Sequence, residues 1–133
     1  MPFVLDASIA ITWAMRDEEH PLADRAFLRI QSDSVIVPGI FWYEIWSILV
    51  VNEQRNRITP EDSIQFLHDL EQFSISVEIS RGTHLMDLSR RYKLSVYDAA
   101  YLAAAESNQL PLATLDKNLA AAALAAGIPP FFS

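Results

Sequence analysis

Short apolar segments alternate with longer segments of helical character along this chain. The apolar segments are residues 3–5, 35–37, 75–79 and 112–115. Strands that are buried on both faces read as continuous apolar runs, and parallel strands need a crossover connection that is usually a helix. The pattern therefore predicts an α/β protein in which helices cover a parallel sheet.

Local signals mark where several of these helices begin and end. Thr59 is a capping residue followed by a proline and two acids, which is typical of a first helical turn. Ser95 and Asp98 have the spacing of a capping box ahead of an alanine-rich segment. Gly127 follows another alanine-rich segment, residues 120–126, and is well placed to end the last helix.

The segment from residue 40 to residue 56 is apolar almost all round. A helix that packs one face on a core carries a single apolar stripe, which cannot account for this composition. We therefore infer a second buried face, such as a subunit or partner interface. Trp42 and Trp46, one helical turn apart, are candidate partner contacts, although core packing is the simpler explanation for at least one of them.

Composition sets the broad class of the protein. A chain of 133 residues, 51% hydrophobic and 20% charged, fits one globular domain over residues 1–133. Cysteine is absent, which excludes disulfides, thiolate metal sites and cysteine nucleophiles. The N-terminus does not read as a secretory signal, and the longest apolar run is too short to span a membrane. We therefore expect a cytoplasmic protein.

The charge balance limits how the chain could bind nucleic acid. Its formal net charge of −7 is the wrong sign for binding through bulk positive potential. Nucleic acid binding is compatible with this charge only if many acids lie where bound divalent cations reverse the local sign.

Two acids follow apolar segments directly. Asp6 comes after residues 3–5, and Asp116 comes after residues 112–115 and ahead of a predicted helix. In open parallel sheets, ligands bind outside the carboxyl ends of the strands, so these two acids could face each other across one crevice. The alternative is that each acid is only the N-cap of its following helix.

Two further acids are candidates for the same site. Asp98 occupies the third helical position, where a capping-box acid also lies, so its local role is a strong alternative. Glu44 interrupts an aromatic and apolar run, where a charge is costly unless it is paired, solvated or bound to metal.

Four carboxylates together would suit a hard divalent cation. Mg²⁺ and Mn²⁺ prefer oxygen ligands, and such ions can orient a water, lower its pKa and stabilise charge on a phosphate. His20, His68 and His84 are dispersed without zinc-site spacing, so zinc is not expected.

These residues resemble the motifs of PIN-domain ribonucleases, and the length and motif order are most similar to the toxin half of VapBC toxin–antitoxin pairs. The similar motifs are Val4-Leu5-Asp6-Ala7-Ser8, Pro38 with Glu44 six residues later, Tyr97-Asp98-Ala99-Ala100-Tyr101-Leu102-Ala103, and Ala113-Thr114-Leu115-Asp116. Each motif alone is weak, but four in this order and spacing form a fairly specific pattern that covers nearly the whole chain.

The resemblance implies a three-layer fold with a four- or five-stranded parallel sheet and helices on both faces. It implies an acidic pocket that binds Mg²⁺ or Mn²⁺ and cleaves RNA endonucleolytically. By motif match, Asp6, Glu44, Asp98 and Asp116 are the metal-binding and catalytic acids, while Thr114 and Ser8 match polar positions beside the pocket. The family also implies a homodimer and a small antitoxin that covers the pocket.

Basic residues flank two of these acids and are candidate phosphate contacts, with a solvated surface as the alternative role. They are Arg90, Arg91, Lys93 and Lys117.

Three other functions compete with this interpretation. A haloacid dehalogenase-type phosphatase needs a second Asp two residues after the first, where Ser8 lies. A response-regulator receiver domain needs an N-terminal acid pair and an Asp after a central strand, whereas Val37 leads into Pro38. A PIN fold that only scaffolds other proteins is the third alternative, and retention of all four acids argues against it.

Overall fold

Four parallel strands form one sheet in the computed structural model, which describes residues 1–15 and 20–131. They are β1 (Phe3–Leu5), β2 (Val35–Pro38), β3 (Ile75–Glu78) and β4 (Leu112–Ala113). Their order across the sheet is β3-β2-β1-β4. Each predicted apolar segment contains a strand, and the predicted α/β fold is confirmed with four strands.

The central strand β1 is wholly buried because it has neighbours in every direction. Phe3 lies opposite Val35 on β2, and Val4 lies opposite Leu112 on β4. All three residues of β1 have no exposed surface. The segment that follows β1 therefore leaves the sheet from the middle of the protein.

Strand β4 ends earlier than the apolar run predicts. It stops at Ala113 instead of continuing to residue 115. Side-chain hydroxyls satisfy the backbone beyond it: the Leu115 amide donates to Ser8 Oγ over 3.0 Å, and the Asp116 amide donates to Thr114 Oγ1 over 3.0 Å. These bonds turn the chain out of the sheet and into the next helix.

Helices connect the strands in the described part of the chain. They are α1 (Ala7–Ala10), a short 3-10 helix (Ile11–Ala14), α2 (Pro21–Ile30), α3 (Ile40–Gln54), α4 (Pro60–Glu71), α5 (Gly82–Tyr92), α6 (Val96–Asn108) and α7 (Lys117–Ala125). None of them is both long and apolar enough to cross a membrane.

Strand order explains why the helices cover both faces of the sheet. The chain steps in one direction from β1 to β2 to β3, and then crosses back past β2 and β1 to reach β4. Because crossovers between parallel strands are right-handed, this reversal places α1 to α4 on one face and α5 and α6 on the other. Helix α6 packs against β1, β2 and β4, and α7 packs against α6.

The predicted helix ends are confirmed at α4 and α7. Thr59 and Asp62 form a complete capping box, in which each side chain accepts a hydrogen bond from the other residue's amide. Gly127 has a φ of 77°, and its amide and that of Ile128 donate to Leu124 and Ala123 carbonyls. This is a Schellman motif, for which glycine is the favoured residue.

Helix α3 presents two different faces. Phe41, Ile45 and Leu49 are buried at 2% exposure or less, as expected for the core-facing stripe. On the other side, Tyr43 is 66% exposed and Trp46 is 44% exposed. The second apolar face thus lies at the surface of this chain, and its burial by a partner stays a prediction.

Candidate active site

The strand order creates a crevice between β1 and β4. These strands are neighbours, but the segment after β1 continues on the face of α1 to α4, whereas α7, after β4, packs against α6. Open α/β sheets bind ligands at such a switch point, outside the carboxyl ends of the strands. Asp6 leaves β1 at this point and Asp116 follows β4, as the sequence pattern predicted.

The Asp6 carboxylate is held by two hydroxyl groups. Its Oδ2 atom accepts hydrogen bonds from Ser8 Oγ at 2.7 Å and from Thr114 Oγ1 at 2.6 Å. Each hydroxyl has one proton and gives it to Asp6, so the 3.5 Å contact between Ser8 and Thr114 is not a further strong bond. The Asp6 side chain accepts no capping hydrogen bond from the second or third amide of α1, which argues against a role as an N-cap alone.

Burial is the main influence on the ionisation of Asp6. The residue is only 5% exposed, and desolvation raises the pKa of its carboxyl. The hydrogen bonds from Thr114, Ser8 and the Ala7 amide oppose this rise, whereas the negative charge of Asp116 adds to it. The hydroxyls therefore favour the ionised form in a setting that otherwise disfavours it.

Helix α3 brings Glu44 to the same edge of the sheet. Its Oε1 atom accepts a 2.6 Å hydrogen bond from the Tyr101 hydroxyl on α6. Partial burial raises the pKa of Glu44, the Tyr101 hydrogen bond lowers it, and the charges of Asp6 and Asp98 raise it further. Glu44 is thus anchored at one oxygen and repelled by two neighbouring acids.

Asp98 lies in the first turn of α6. Its amide donates to Ser95 Oγ over 3.0 Å, but its own side chain does not return to the Ser95 amide. Only half of the predicted capping box is therefore formed. Burial, followed by the charges of Asp116 and Asp6, raises the pKa of Asp98, and the Ser95 side chain, through its interaction with the carboxyl, opposes the rise.

Asp116 has a confirmed local role. Its Oδ1 atom accepts a 3.0 Å hydrogen bond from the Leu119 amide, so it is the N-cap of α7. Capping occupies one carboxylate oxygen, and no described residue donates a hydrogen bond to Oδ2. A capping role and a role in the site are therefore compatible for this residue.

The structure brings the four predicted acids into one electrostatic group. The charge of Asp116 acts on Asp6. The charges of Asp6 and Asp98 act on Glu44. Asp98 is in turn affected by Asp116 and Asp6. Among the described residues, no Lys, Arg or His offsets the ionisation of these three shifted acids. The site thus concentrates negative charge that the described residues leave uncompensated.

The donor set suits a hard divalent cation, although it is not a closed cage. In the described ranges, no three Asp, Glu or His side chains already converge closely enough to hold an ion between them. Mg²⁺ normally keeps several waters and is bound through one or two carboxylates, so it needs no such cage. Carboxylate oxygens are the ligands that Mg²⁺ and Mn²⁺ prefer, and a bound cation would offset the repulsion between the four acids.

The other predicted residues have less specific surroundings. Arg91, Lys93 and Lys117 are exposed, and exposed Arg90 forms a 3.3 Å surface pair with Asp87. The Nε2 atom of His84 lies 3.2 Å from Oε1 of Glu106, which is not one of the four candidate site acids. The rings of Trp42 and Trp46 stack with centroids 6.4 Å apart, and Trp42 is only half-buried.

The sequence interpretation did not identify Tyr101 as part of the site. The residue lies one helical turn after Asp98, on the same side of α6, and it is a buried tyrosine whose hydroxyl needs a partner. That spacing and burial are the available signals. Its partner Glu44 is 57 residues away in the chain, so only the fold identifies the contact.

Comparisons with known proteins agree with this architecture. Ribonuclease VapC3 from Pyrobaculum aerophilum is 27% identical over 124 residues, which cover 90% of this chain and 93% of that protein. The crystal structure of PAE2754, also from Pyrobaculum aerophilum, matches with a TM-score of 0.70 at 21% identity and covers 92% of this chain and 79% of that one.

A crystal structure of VapC20 from Mycobacterium tuberculosis matches with a TM-score of 0.61 at 15% identity and covers 100% of both chains. That protein is described as a sarcin-ricin loop cleaving toxin. At these identities the solved structures show a shared fold alone. The sequence itself matches the PIN domain over residues 3–124. Because that match spans nearly the whole chain, the protein belongs to the PIN domain family, as its motifs predicted.

Proposed function

We propose that this protein is an endoribonuclease that cleaves RNA with Mg²⁺ or Mn²⁺ held by Asp6, Glu44, Asp98 and Asp116. The observation that carries the proposal is the gathering of these acids, from separate elements, without a compensating cation among the described residues. Carboxyls with pKa values perturbed in this way cluster at functional sites. The similar protein from Pyrobaculum aerophilum is named a ribonuclease.

The chain's own residues would prepare this site for a cation. When bound, a divalent cation would lower the pKa of a coordinated water and stabilise the charge that develops on the scissile phosphate. Ser8 and Thr114 keep the Asp6 carboxylate oriented through Oδ2. Because the Thr114 proton is committed to Asp6, we assign Thr114 to the active site as a residue that orients the acid, without proton transfer of its own.

Exposed basic residues would supply the contacts that the acidic site cannot. Lys117 begins α7 directly after Asp116, and Arg90, Arg91 and Lys93 precede the first turn of α6 that carries Asp98. We propose that these side chains bind phosphates on either side of the cleaved bond. A chain of net charge −7 needs such local contacts because its overall field repels RNA.

We further propose that the protein is the toxin of a toxin–antitoxin pair and acts in the cytoplasm. A small antitoxin would cover the acidic site, and two copies of the chain would form a homodimer. The exposed apolar face of α3 supports an interface, since Tyr43, Trp46 and Val50 are 66%, 44% and 49% exposed. Sedimentation that shows a monomer at micromolar concentration, soluble without any partner, would contradict this part of the proposal.

The central experiment is cleavage of a mixed RNA pool with Mg²⁺ and with excess EDTA. We expect cleavage only with the metal, and we expect Asp6→Asn to abolish it. Asp69→Asn is the matched control because Asp69 is exposed on α4 and, among the described residues, its carboxylate accepts a hydrogen bond only from Gln65. Undiminished cleavage in EDTA would refute the metal mechanism.

A PIN fold that has lost catalysis and acts as a scaffold is the second candidate. The scaffold function is favoured by one finding: among the described residues, no three acids lie close enough together to hold a metal ion. Wild-type protein that neither binds Mn²⁺ nor cleaves RNA would support the scaffold. The family assignment sets aside the phosphatase and receiver alternatives.

A further inference from the structure

Tyr101 is buried in the core, yet its hydroxyl reaches the candidate active site. The residue has no exposed surface. Its hydroxyl donates to Glu44 Oε1 over 2.6 Å and accepts a longer, weaker bond of 3.4 Å from the Ala7 amide. Ala7 follows Asp6 directly, and Asp98 lies one turn before Tyr101 on α6. One hydroxyl therefore connects the three elements that carry Asp6, Glu44 and Asp98.

The direction of these two hydrogen bonds is fixed by chemistry. The Ala7 amide can only donate, so the Tyr101 oxygen accepts there and its single proton goes to Glu44. Two bonds in series polarise each other, which strengthens the bond to the carboxylate. A phenol is protonated at physiological pH, so the hydroxyl remains a donor.

The bond leaves one oxygen of Glu44 available. Tyr101 occupies Oε1, and no described residue donates a hydrogen bond to Oε2. Without the hydroxyl, a half-buried glutamate with three rotatable side-chain bonds would be repelled by Asp6 and Asp98 toward solvent. The phenol opposes that rotation.

We propose that Tyr101 is a positioning residue that holds Glu44 beside Asp6 and Asp98 and thereby sets the affinity of the site for a divalent cation. This inference rests on the proposed function. Tyr101 does not itself contact the cation or the RNA; it acts through Glu44.

The test is calorimetric titration of Tyr101→Phe with Mn²⁺, which needs no activity measurement. Phenylalanine keeps the buried ring and removes only the hydroxyl. Loss of a group that orients a metal ligand typically weakens binding about 10- to 100-fold, and we expect a loss in this range. Tyr92→Phe is the matched control, since Tyr92 packs against the core and its hydroxyl has no partner in the described part of the chain. It should bind Mn²⁺ as the wild type does.

A double-mutant cycle separates positioning of Glu44 from a general structural effect. In a Glu44→Ala background, Tyr101→Phe should change Mn²⁺ affinity by less than about twofold, because the acid through which it acts is gone. An equal loss in both backgrounds, or no loss in the wild-type background, would overturn the inference.

Two further outcomes keep this inference separate from the proposed function. Wild-type protein that binds no Mn²⁺ and cleaves no RNA refutes both, whereas wild-type binding with an unaltered Tyr101→Phe refutes the role of Tyr101 alone. If Tyr101→Phe does not fold, a crystal structure of the Mn²⁺-loaded wild type decides. Glu44 should bind the ion while still accepting from Tyr101, and a Glu44 that has left Tyr101 would overturn the inference.

Discussion

Two helices of this protein begin with the same local motif but use its acid differently. At α4, Thr59 accepts from the Asp62 amide over 3.1 Å, and the Asp62 side chain returns to the Thr59 amide over 3.0 Å. At α6, Ser95 accepts from the Asp98 amide over 3.0 Å, but the Asp98 side chain gives no return bond. One acid completes a capping box, and the other does not bond to the amide of its N-cap residue.

The surroundings of the two helix starts also differ. Asp62 lies on the surface, and its carboxylate accepts a hydrogen bond from the Thr59 amide. Asp98 is half-buried and senses the charges of Asp116 and Asp6. The same motif is therefore complete at α4, whereas at α6 only its serine half is formed and the acid lies near the other candidate site acids. Four measurements on Asp98→Asn and Asp62→Asn test whether the two acids have different roles.

The largest expected effect is on RNA cleavage. Asp98→Asn should lower the cleavage rate at saturating Mg²⁺ by at least about tenfold, if loss of a ligand costs no less than loss of a group that orients one. Asp62→Asn is the matched control and should cleave at the wild-type rate, because Asp62 caps the start of α4 and is not one of the four candidate site acids. Equal rates for the two variants would return Asp98 to a purely local role.

The second effect is stabilisation by metal. A ligand that binds only the folded protein at one hundred times its dissociation constant stabilises it by about 2.7 kcal/mol. Mn²⁺ should therefore raise the melting temperature of wild-type protein and of Asp62→Asn alike. Asp98→Asn should show a clearly smaller rise at the same Mn²⁺ concentration. A rise equal to that of the wild type would contradict a place for Asp98 among the ligands.

The third effect is on the free energy of unfolding in EDTA. Here Asp62→Asn, and not Asp98→Asn, is expected to be the weaker variant. Asp62→Asn should lose stability, because the amide can still accept a hydrogen bond but no longer carries charge; loss of the charge beside the helix dipole alone accounts for about 0.3 to 1 kcal/mol. Asp98→Asn suffers the same loss, but it also relieves repulsion from Asp6 and Asp116. Urea denaturation should therefore show Asp98→Asn unchanged or stabilised; a loss equal to that of Asp62→Asn would argue against repulsion.

The smallest effect concerns pH. Asp6, Glu44 and Asp98 have pKa values raised by burial and by neighbouring acids. The folded protein therefore binds more protons than the unfolded chain between the ordinary and the raised pKa values. Stability from these groups is present at low pH and is lost as the pH rises through the raised values. In EDTA, the unfolding free energy should fall less steeply from about pH 4 to pH 7 in Asp98→Asn than in wild type.

Asp33 has the opposite effect on the pH dependence of stability. Its contribution is the same in wild type and in Asp98→Asn, so it cancels when the two proteins are compared. The N-terminal amine, by its hydrogen bond, lowers the pKa of Asp33, with Arg29 adding to the effect. Asp33 therefore stabilises the fold as the pH rises. Because Asp98→Asn retains this pair, the difference between the two proteins isolates Asp98. An identical pH slope in both proteins would show that Asp98 does not sense its neighbours.

Most of the elements follow from local sequence patterns. Continuous apolar runs identified all four strands, and Thr59 and Gly127 marked helix ends that the structure confirms. The start of α6 shows where local reasoning stops. Ser95 and Asp98 predicted a capping box, and half of it exists. The local pattern does not show whether the acid completes the box, nor that its carboxylate lies near Asp6 and Asp116.

The candidate site could be anticipated only in outline. Asp6 and Asp116 follow strands, so a sheet with its carboxyl ends aligned was enough to expect them together. Whether these acids bind metal remains a prediction for the cleavage and titration experiments.

The order and type of the elements, and the acids that could take part in chemistry, follow from the amino-acid sequence, because apolar runs and helix capping act over a few residues. The partners of each acid follow from the tertiary structure. Thr114 bonds to Asp6 across 108 residues and Tyr101 to Glu44 across 57. Such contacts depend on the strand order β3-β2-β1-β4 and on which face each helix covers. No local pattern encodes that order, since it follows from how the whole chain buries its apolar surface at once.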